Sequence, residues 1–412
     1  MVNPCLTREV RLSSWPQPPG SRRPRAPTRV RPAARPRPTP TPTTRRSDPH
    51  AAHRPPGDPA AGLPGPRRRA STSLRVRRLT GLVVLVGLLL VGLVLSIALG
   101  AREIPLGTVL DSLGSIRAAM ADPASADPDL RVIAELRVPR TLIALVVGAA
   151  LGVAGALIQG HTRNPLADPG ILGVSSGAAL AVVGSFALFG VTGAVATSVW
   201  AFGGAVVATA LVFALASIGN GQVNPLTLIL GGAALSAVLG SVTSSLVLTD
   251  DNNLDRMRFW TVGSVAGRDL TVFWGVLPFI VVGLVLALAT GPQLNLLNLG
   301  DDVASALGVD TGRARVGGML LISLLAGAAT AAAGPVGFIG LVVPHIVRAV
   351  TGPDYRWILP YSALAGSVLI LFADVVGRVI ARPGELQVGI VLAFVGAPFF
   401  IVLISRRKVV SI

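Results

Sequence analysis

The residues that could do chemistry in this 412-residue chain are few and widely spaced. The one cysteine, Cys5, lies close to the start, which removes a disulfide framework and a thiolate metal site. The one lysine, Lys408, stands four residues before the end, so no GxxxxGK[ST] phosphate loop exists in the chain. If ATP drives any process here, another subunit binds it. His345 and Asp374 fall inside apolar runs, where an ionisable side chain is a functional candidate by default, with packing as the alternative. Arg137 and Arg140 in RVPR, and Arg378 in ADVVGR, stand at the ends of apolar runs. An arginine there either offers its charge to a partner or snorkels to the interface. No catalytic set, metal-binding cluster or cofactor motif emerges, so the expectation is a chain with no covalent chemistry of its own.

The elements that position these residues belong in a membrane. Hydrophobic residues make up 51% of the chain and charged ones 14%, with a mean hydropathy of +0.66. Runs of about 20 apolar residues, enough to cross about 30 Å of hydrocarbon, fall near 79–100, 138–160, 171–190, 194–217, 226–248, 271–290, 314–333, 358–380 and 386–405. A tenth, 336–350, is short and contains Pro344, His345 and Arg348. An even count places Arg75, Arg77 and Arg78, before the first run, and Arg406, Arg407 and Lys408, after the last, together in the cytoplasm. The loops between do not decide orientation, and the arginines left outside make a positive face able to receive an acidic partner. Trp200, Trp260, Trp274 and Trp357 fall near run ends, as interfacial anchors do.

Two connecting segments stand out. In 137–179, Gly148, Gly152, Ala156 and Gly160 recur every four residues, so one helix face admits a close neighbour. A knot containing Arg163, Asn164, Pro165, Asp168, Pro169 and Gly170 then predicts a tight turn. In 294–318, Asp301 and Asp302 stand where carboxylates favour a helix start, Ala304 to Leu307 continue it, and Gly308 can close it in a left-handed cap. A second short turn is expected from Asp310 to Arg315. The segment is either a plain connector or a docking surface for a soluble motor subunit.

The net charge of +16 is concentrated in one place. Residues 1–78 hold 18 of the 36 basic residues, 17 of the 32 prolines and only Glu9, Asp48 and Asp58 as acids. That composition predicts a disordered Arg/Pro-rich tail ahead of a transmembrane domain over 79–412. The tail reads as a solvated extension, a patch for anionic lipid headgroups, or residues encoded upstream of the true start. It lacks the aromatic interleaving of a nucleic-acid binder, and no nucleic-acid partner is expected.

Three passages carry a resemblance: RVPRTL with GALIQG and RNPLADPGILGVSSGAA; LGDDVASALGVDTGRAR; and GPVGFIGLVVPHIVRAV continuing through ADVVGRVIARPGELQVGIVLAFVGAPFFI. Together they resemble the membrane permease family of bacterial ABC importers for ferric siderophores, haem and vitamin B12, over about 79–407. The resemblance implies an all-α polytopic membrane protein of about ten transmembrane helices with type II ABC importer permease architecture. It implies a multi-pass subunit of the bacterial cytoplasmic membrane with both termini cytoplasmic. The implied partners are a second permease copy or paralogue, cytoplasmic ATP-binding subunits that use the ATP, and an extracytoplasmic substrate-binding protein; no cofactor is bound by this chain.

Carried onto matching positions, the family's binding-protein docking arginines are Arg137, Arg140 and Arg378. Its ATPase-coupling segment covers Gly300, Asp301, Asp302, Ala304, Leu307, Gly308, Arg313 and Arg315, and its cytoplasmic gate matches 219–224 with Asn220, Gln222 and Asn224. A ferric siderophore is the expected cargo, as the family's commonest, with haem or vitamin B12 as alternatives. A secondary transporter driven by an ion gradient is the rival of a different class. It would need several intramembrane carboxylates or histidines, and only Asp374, His345 and Asp168 qualify. A non-transporting membrane scaffold is a third reading.

Overall fold

The computed structural model describes residues 68–100, 102–112, 114–122, 126–217 and 225–405. The tail up to residue 67 with Cys5, the gate residues Asn220, Gln222 and Asn224, and Arg406, Arg407 and Lys408 lie outside them.

All regular structure among the described residues is helical. Seven helical segments are long and apolar enough to cross a membrane, and three shorter apolar helices bring the total to the ten runs expected. The first helix, α1 (Arg68–Ala98), starts well ahead of the run beginning at 79. Hydropathy is blind to its basic first turns, two of whose arginines have structural work. Arg77 Nε donates to the Val350 carbonyl and Arg78 Nε to the Thr351 carbonyl, each at 2.8 Å, and the Arg78 guanidinium lies 5.2 Å from the Trp357 ring centroid.

Three short helices follow, α2 (Leu106–Ser112), α3 (Ile116–Ala121) and α4 (Pro128–Val132). A five-residue π-helical stretch, Ile133–Arg137, carries α4 into α5 (Val138–Thr162). The next four are α6 (Val174–Phe189), α7 (Ala194–Ser217), α8 (Pro225–Val247) and α9 (Asp251–Val262). Then come α10 (Leu270–Ala289), α11 (Gly291–Leu297), α12 (Asp301–Ala306), α13 (Thr311–Ala333), α14 (Ile339–Thr351), α15 (Tyr355–Ile380) and α16 (Val388–Ser405).

Helix α5 is the hub and is buried over most of its length. A methyl group added at Gly148 or Gly152 would overlap the backbone of Gly366 or Ser362 on α15, so the two helices meet backbone to backbone. The expected stripe is shared out among neighbours. Gly155, outside that stripe, meets Gly340 of α14, while Gly160 leaves room for the Tyr355 ring.

Helix α14 is short because the chain breaks ahead of it. Gly334 (φ +72°) ends α13 against the Trp260 carbonyl, and Phe338, at φ +69°, turns into α14 with its side chain packed over Gly396 of α16. Thirteen residues span only about 20 Å. Non-helical backbone within a membrane is tolerated where protein surrounds it or where it lines a water-filled cavity; here Gly334 is buried, Pro335, Val336 and Phe338 are half-buried, and Gly337 is exposed. Trp260 departs from the expectation of interfacial anchors: it is buried in α9, whereas Trp274 is 63% exposed.

Two rims result. One gathers the C-terminal ends of α1 and α15, the start of α5 and the loop 263–269. The other gathers the end of α5, α11, α12 and the starts of α13 and α15.

Candidate functional site

At the first rim the fold brings Arg137, Arg140 and Arg378 together and turns all three inward. The last carbonyls of α1 lack intrahelical partners. Arg137 supplies them, its Nη1 donating to the Ile97 and Ala98 carbonyls at 2.7 Å and its Nη2 to the Arg102 carbonyl at 2.6 Å. Arg140 grips Asp374 with Nε at 3.0 Å and Nη2 at 2.7 Å from Oδ1, while Nη1 reaches Glu385 Oε2 at 2.6 Å. Arg378 closes the cluster. Its Nη2 is 2.9 Å from Asp374 Oδ2, and its Nη1 donates to the Ser96 and Leu99 carbonyls at 3.0 and 2.8 Å.

Asp374 is fully buried and the three arginines are at most 8% exposed. Asp374 and Glu385 balance Arg140 and Arg378, so a buried pair of charges on α5 and α15 is matched by two acids, with bidentate geometry where it counts. The arginines also line a cavity of about 440 Å³, together with Glu135, Arg268 and Glu385. Arg102, at its wall, pairs with Asp129 at 2.6 Å, and Arg382 pairs with Glu103 at 2.7 Å. Burial lowers the pKa of Arg268, in the loop before α10, and the neighbouring Asp269 offsets part of that.

At the opposite rim the coupling residues form a compact unit. Gly300 (φ +115°) precedes α12 and Gly308 (φ +85°) follows it, so the short helix and its left-handed closure match expectation. The turn expected from Asp310 to Arg315 is not separate: it is the first turn of α13, capped by Asp310 Oδ1, which accepts from the Arg313 N–H at 3.0 Å. Asp301 is the junction. It accepts from Arg315 Nη2 at 2.6 Å and is paired with Arg163, whose Nε donates to the Leu297 carbonyl at 3.0 Å. The turn after α5 is thereby tied to α11, α12 and α13. Ala304 is buried beneath α12, Asp302 is exposed, and Arg313 projects outward beside Asp310. Leu299, Val303 and Leu307 are 61%, 45% and 58% exposed, an apolar surface on a polar rim.

The remaining ionisable candidates have structural partners. Asp168 Oδ1 accepts from the Gly170 N–H at 2.8 Å and caps a single 3₁₀ turn, Pro169–Leu172. His345 is half-buried with Phe399 edge-on at 5.9 Å. Among the described residues no group of histidine, cysteine and acidic side chains could hold a metal ion.

Sequence reasoning missed a buried polar set near the second rim. Gln159 Nε2 donates to the Gly340 carbonyl at 3.0 Å, and its Oε1 accepts from Arg348 Nη1 at 2.6 Å. Arg348 Nη2 donates to the Tyr355 hydroxyl at 3.2 Å. The available signal was an arginine inside the weakest apolar run.

Comparison with known proteins adds to this geometry. The family model described as the FecCD transport family matches residues 88–406. The ferric enterobactin transport system permease protein FepD of Escherichia coli (strain K12) is 44% identical over 338 residues, covering 82% of this chain and 98% of that protein. The hemin transport system permease protein HmuU of Yersinia pestis is 41% identical, covering 66% and 83%, and the cobalamin import system permease protein BtuC of Halobacterium salinarum is 40% identical, covering 68% and 74%. A solved metal-chelate type ABC transporter in an inward-facing conformation superposes with a TM-score of 0.66 at 30% identity, covering 79% of this chain and 98% of that one. The match begins within α1 and runs to the end of α16, so the hub helix, both rims and the break before α14 all fall inside it, and the chain belongs to the FecCD transport family.

Proposed function

We propose that this chain is the permease subunit of an ABC importer that carries a ferric siderophore across the cytoplasmic membrane, powered by ATP hydrolysis on partner subunits. The observation that carries the reading is the near full-length similarity to a ferric enterobactin permease at 44% identity. Haem and vitamin B12 are the competing cargoes, since permeases named for them are 41% and 40% identical.

In the proposed orientation both termini are cytoplasmic, the α12 rim meets the ATP-binding subunit, and the arginine rim faces out. A second copy or paralogue completes the path, with a gate at Asn220, Gln222 and Asn224. Leu299, Val303 and Leu307 give the ATP-binding subunit an apolar surface, and the links from Asp301 to Arg163 and Arg315 carry its movement into α5 and α13. At the outer rim an acidic side chain of the binding protein enters the cavity lined by Arg137, Arg140 and Arg378. A secondary transporter is disfavoured because both carboxylates among its candidate relay groups are committed, Asp374 to ion pairs and Asp168 to capping a turn, which leaves His345 alone.

The deciding experiment reconstitutes the chain with its ATP-binding and substrate-binding partners in vesicles and follows labelled ferric siderophore, haem and cobalamin. ATP-dependent accumulation of the ferric chelate is expected. Accumulation of haem or cobalamin alone would reassign the cargo, and uptake that follows a proton gradient and ignores ATP would overturn the importer.

A further inference from the structure

Helix α1 enters its apolar run through a basic turn that no acid offsets. Arg75, Arg77 and Arg78 fall within that turn, and none has an acidic partner among the described residues. Two of them are fixed in place. Arg77 and Arg78 each commit Nε to a carbonyl in the last turn of α14, at Val350 and Thr351, and the Arg78 guanidinium lies 5.2 Å from the ring centroid of the half-buried Trp357. The Tyr361 hydroxyl donates to the Arg78 carbonyl and Gly81 sits against Val350, so this part of α1 is pinned to α14 and α15. The terminal nitrogens of Arg77 and Arg78, and the whole Arg75 guanidinium, are left without a hydrogen-bond partner among the described residues.

A merely solvated charge run needs no fixed geometry, whereas this one is anchored and continues into an apolar face. Arg75, Leu79, Val83, Val86 and Leu90 recur at helical spacing on one side of α1, and all are exposed. Only 17% of the apolar window of α1 is buried, so the described chain leaves that side uncovered. From Arg75 to Val86 the face runs about 16 Å at about 1.5 Å per residue, the depth of one leaflet of a hydrocarbon core about 30 Å thick. A cation heading an apolar strip one leaflet long has the outline of a single phospholipid. The local charge selects among headgroups. Asp354, at the start of α15, is already held by Asn295 Nδ2 at 2.7 Å and by the Arg356 N–H at 3.0 Å, so a choline or ethanolamine cation finds no free carboxylate there. A head of net negative charge meets three arginines, each adding about fivefold in affinity near a membrane surface.

We propose that this corner of α1, α14 and α15 binds an anionic phospholipid. The phosphodiester accepts from Arg75 and from the terminal nitrogens of Arg78, which stand one turn apart on α1. Arg77 adds its charge beside them, and one acyl chain lies along Leu79, Val83 and Val86. The site depends neither on the cargo nor on which rim faces the cytoplasm.

The test reconstitutes the full chain in phosphatidylcholine vesicles with phosphatidylglycerol brominated near the headgroup end of its chains, and compares brominated phosphatidylcholine in the same mixture. Bromine quenches nearby tryptophan, and subtracting the signal of Trp357→Phe isolates emission from beside the arginines. Phosphatidylglycerol should be preferred there by at least about tenfold, and the preference should collapse in about 1 M salt, where the Debye length is about 3 Å. Trp274, exposed near the opposite rim and isolated in the same way through Trp274→Phe, should show no such preference. Arg75→Gln removes a side chain without a partner among the described residues, so the fold is kept; the preference should fall about fivefold. Arg75→Lys should retain it. Equal affinity of the two lipids at Trp357, an equal preference at Trp274, or an unchanged preference in Arg75→Gln would overturn the site. Displacement of the brominated lipid by millimolar glycerol phosphate would make the ligand a soluble phosphate and overturn the lipid. None of these outcomes bears on ATP-driven uptake, so the importer reading stands or falls separately.

Discussion

Asp374 holds the arginine rim together because it is the one fully buried acid between two buried guanidinium groups. Removing one member of a buried ion pair leaves an uncompensated charge and costs about 3–5 kcal/mol. Asp374→Ala leaves Arg140 and Arg378 facing each other, with only Glu385 at the cluster edge to offset them. We expect a loss of stability in that range, read as a lowered unfolding temperature in detergent and a reduced membrane yield. Arg137 depends on a different feature, since its partners are carbonyl oxygens of α1 and the residues after it, not acids. Arg137→Met removes three charge-assisted bonds and should loosen the end of α1, seen as faster amide exchange there, at a cost of about 1.5–3 kcal/mol per bond at most. Arg137→Lys keeps the charge but cannot span three acceptors with one fork, so it should recover only part of the loss.

Helix packing rests on close backbone approach more than on large side chains, and the α5–α15 crossing shows it most clearly. Gly148→Ala or Gly366→Ala puts a methyl group into the facing backbone, and overpacking of that kind costs about 1–3 kcal/mol. Gly203→Ala on α7 is the control, because nothing lies within 4 Å of a methyl there. The first two substitutions should lower the unfolding temperature, and the control should leave it unchanged or raise it. Nine of the ten apolar runs were legible in the sequence because such a run is a local property that needs no knowledge of neighbours, whereas 336–350, short and containing Pro344, His345 and Arg348, gives only a weak hydropathy signal. The four-residue spacing of small residues was legible for the same reason, yet it could not show that Gly148 and Gly152 serve α15 while Gly155 serves α14. Burial of Trp260, the break at 334–338 and the inward turn of Arg137 depend on which elements pack together, and single-sequence hydropathy contains no such term. The short helix before α13 was readable from Gly300, Asp301 and Gly308, whose signals are local. Its connection to Arg163, more than a hundred residues away, was not.

Across the whole molecule the two rims are joined by α5, which starts at the Asp374 cluster and ends beside Asp301. A rod buried along its length and packed backbone to backbone against α15 transmits displacement better than a helix resting on flexible side chains, because packed cores respond as discrete states. On the proposed reading, ATP-driven motion enters at α12, and two substitutions separate its contact surface from its linkage. Val303→Asp with Leu307→Asp charges an exposed apolar patch, so it should leave the unfolding temperature unchanged while abolishing copurification of the ATP-binding subunit and ATP-driven uptake. Asp301→Ala leaves that patch in place and cuts the links to Arg163 and Arg315. The ATP-binding subunit should then still copurify and hydrolyse ATP, with uptake reduced at least about tenfold, a coupling loss near 1.4 kcal/mol or more. If Asp301→Ala transports at the unaltered rate, α12 moves α5 and α13 by packing alone. If it also loses the ATP-binding subunit, Asp301 belongs to the docking surface and not to the linkage behind it.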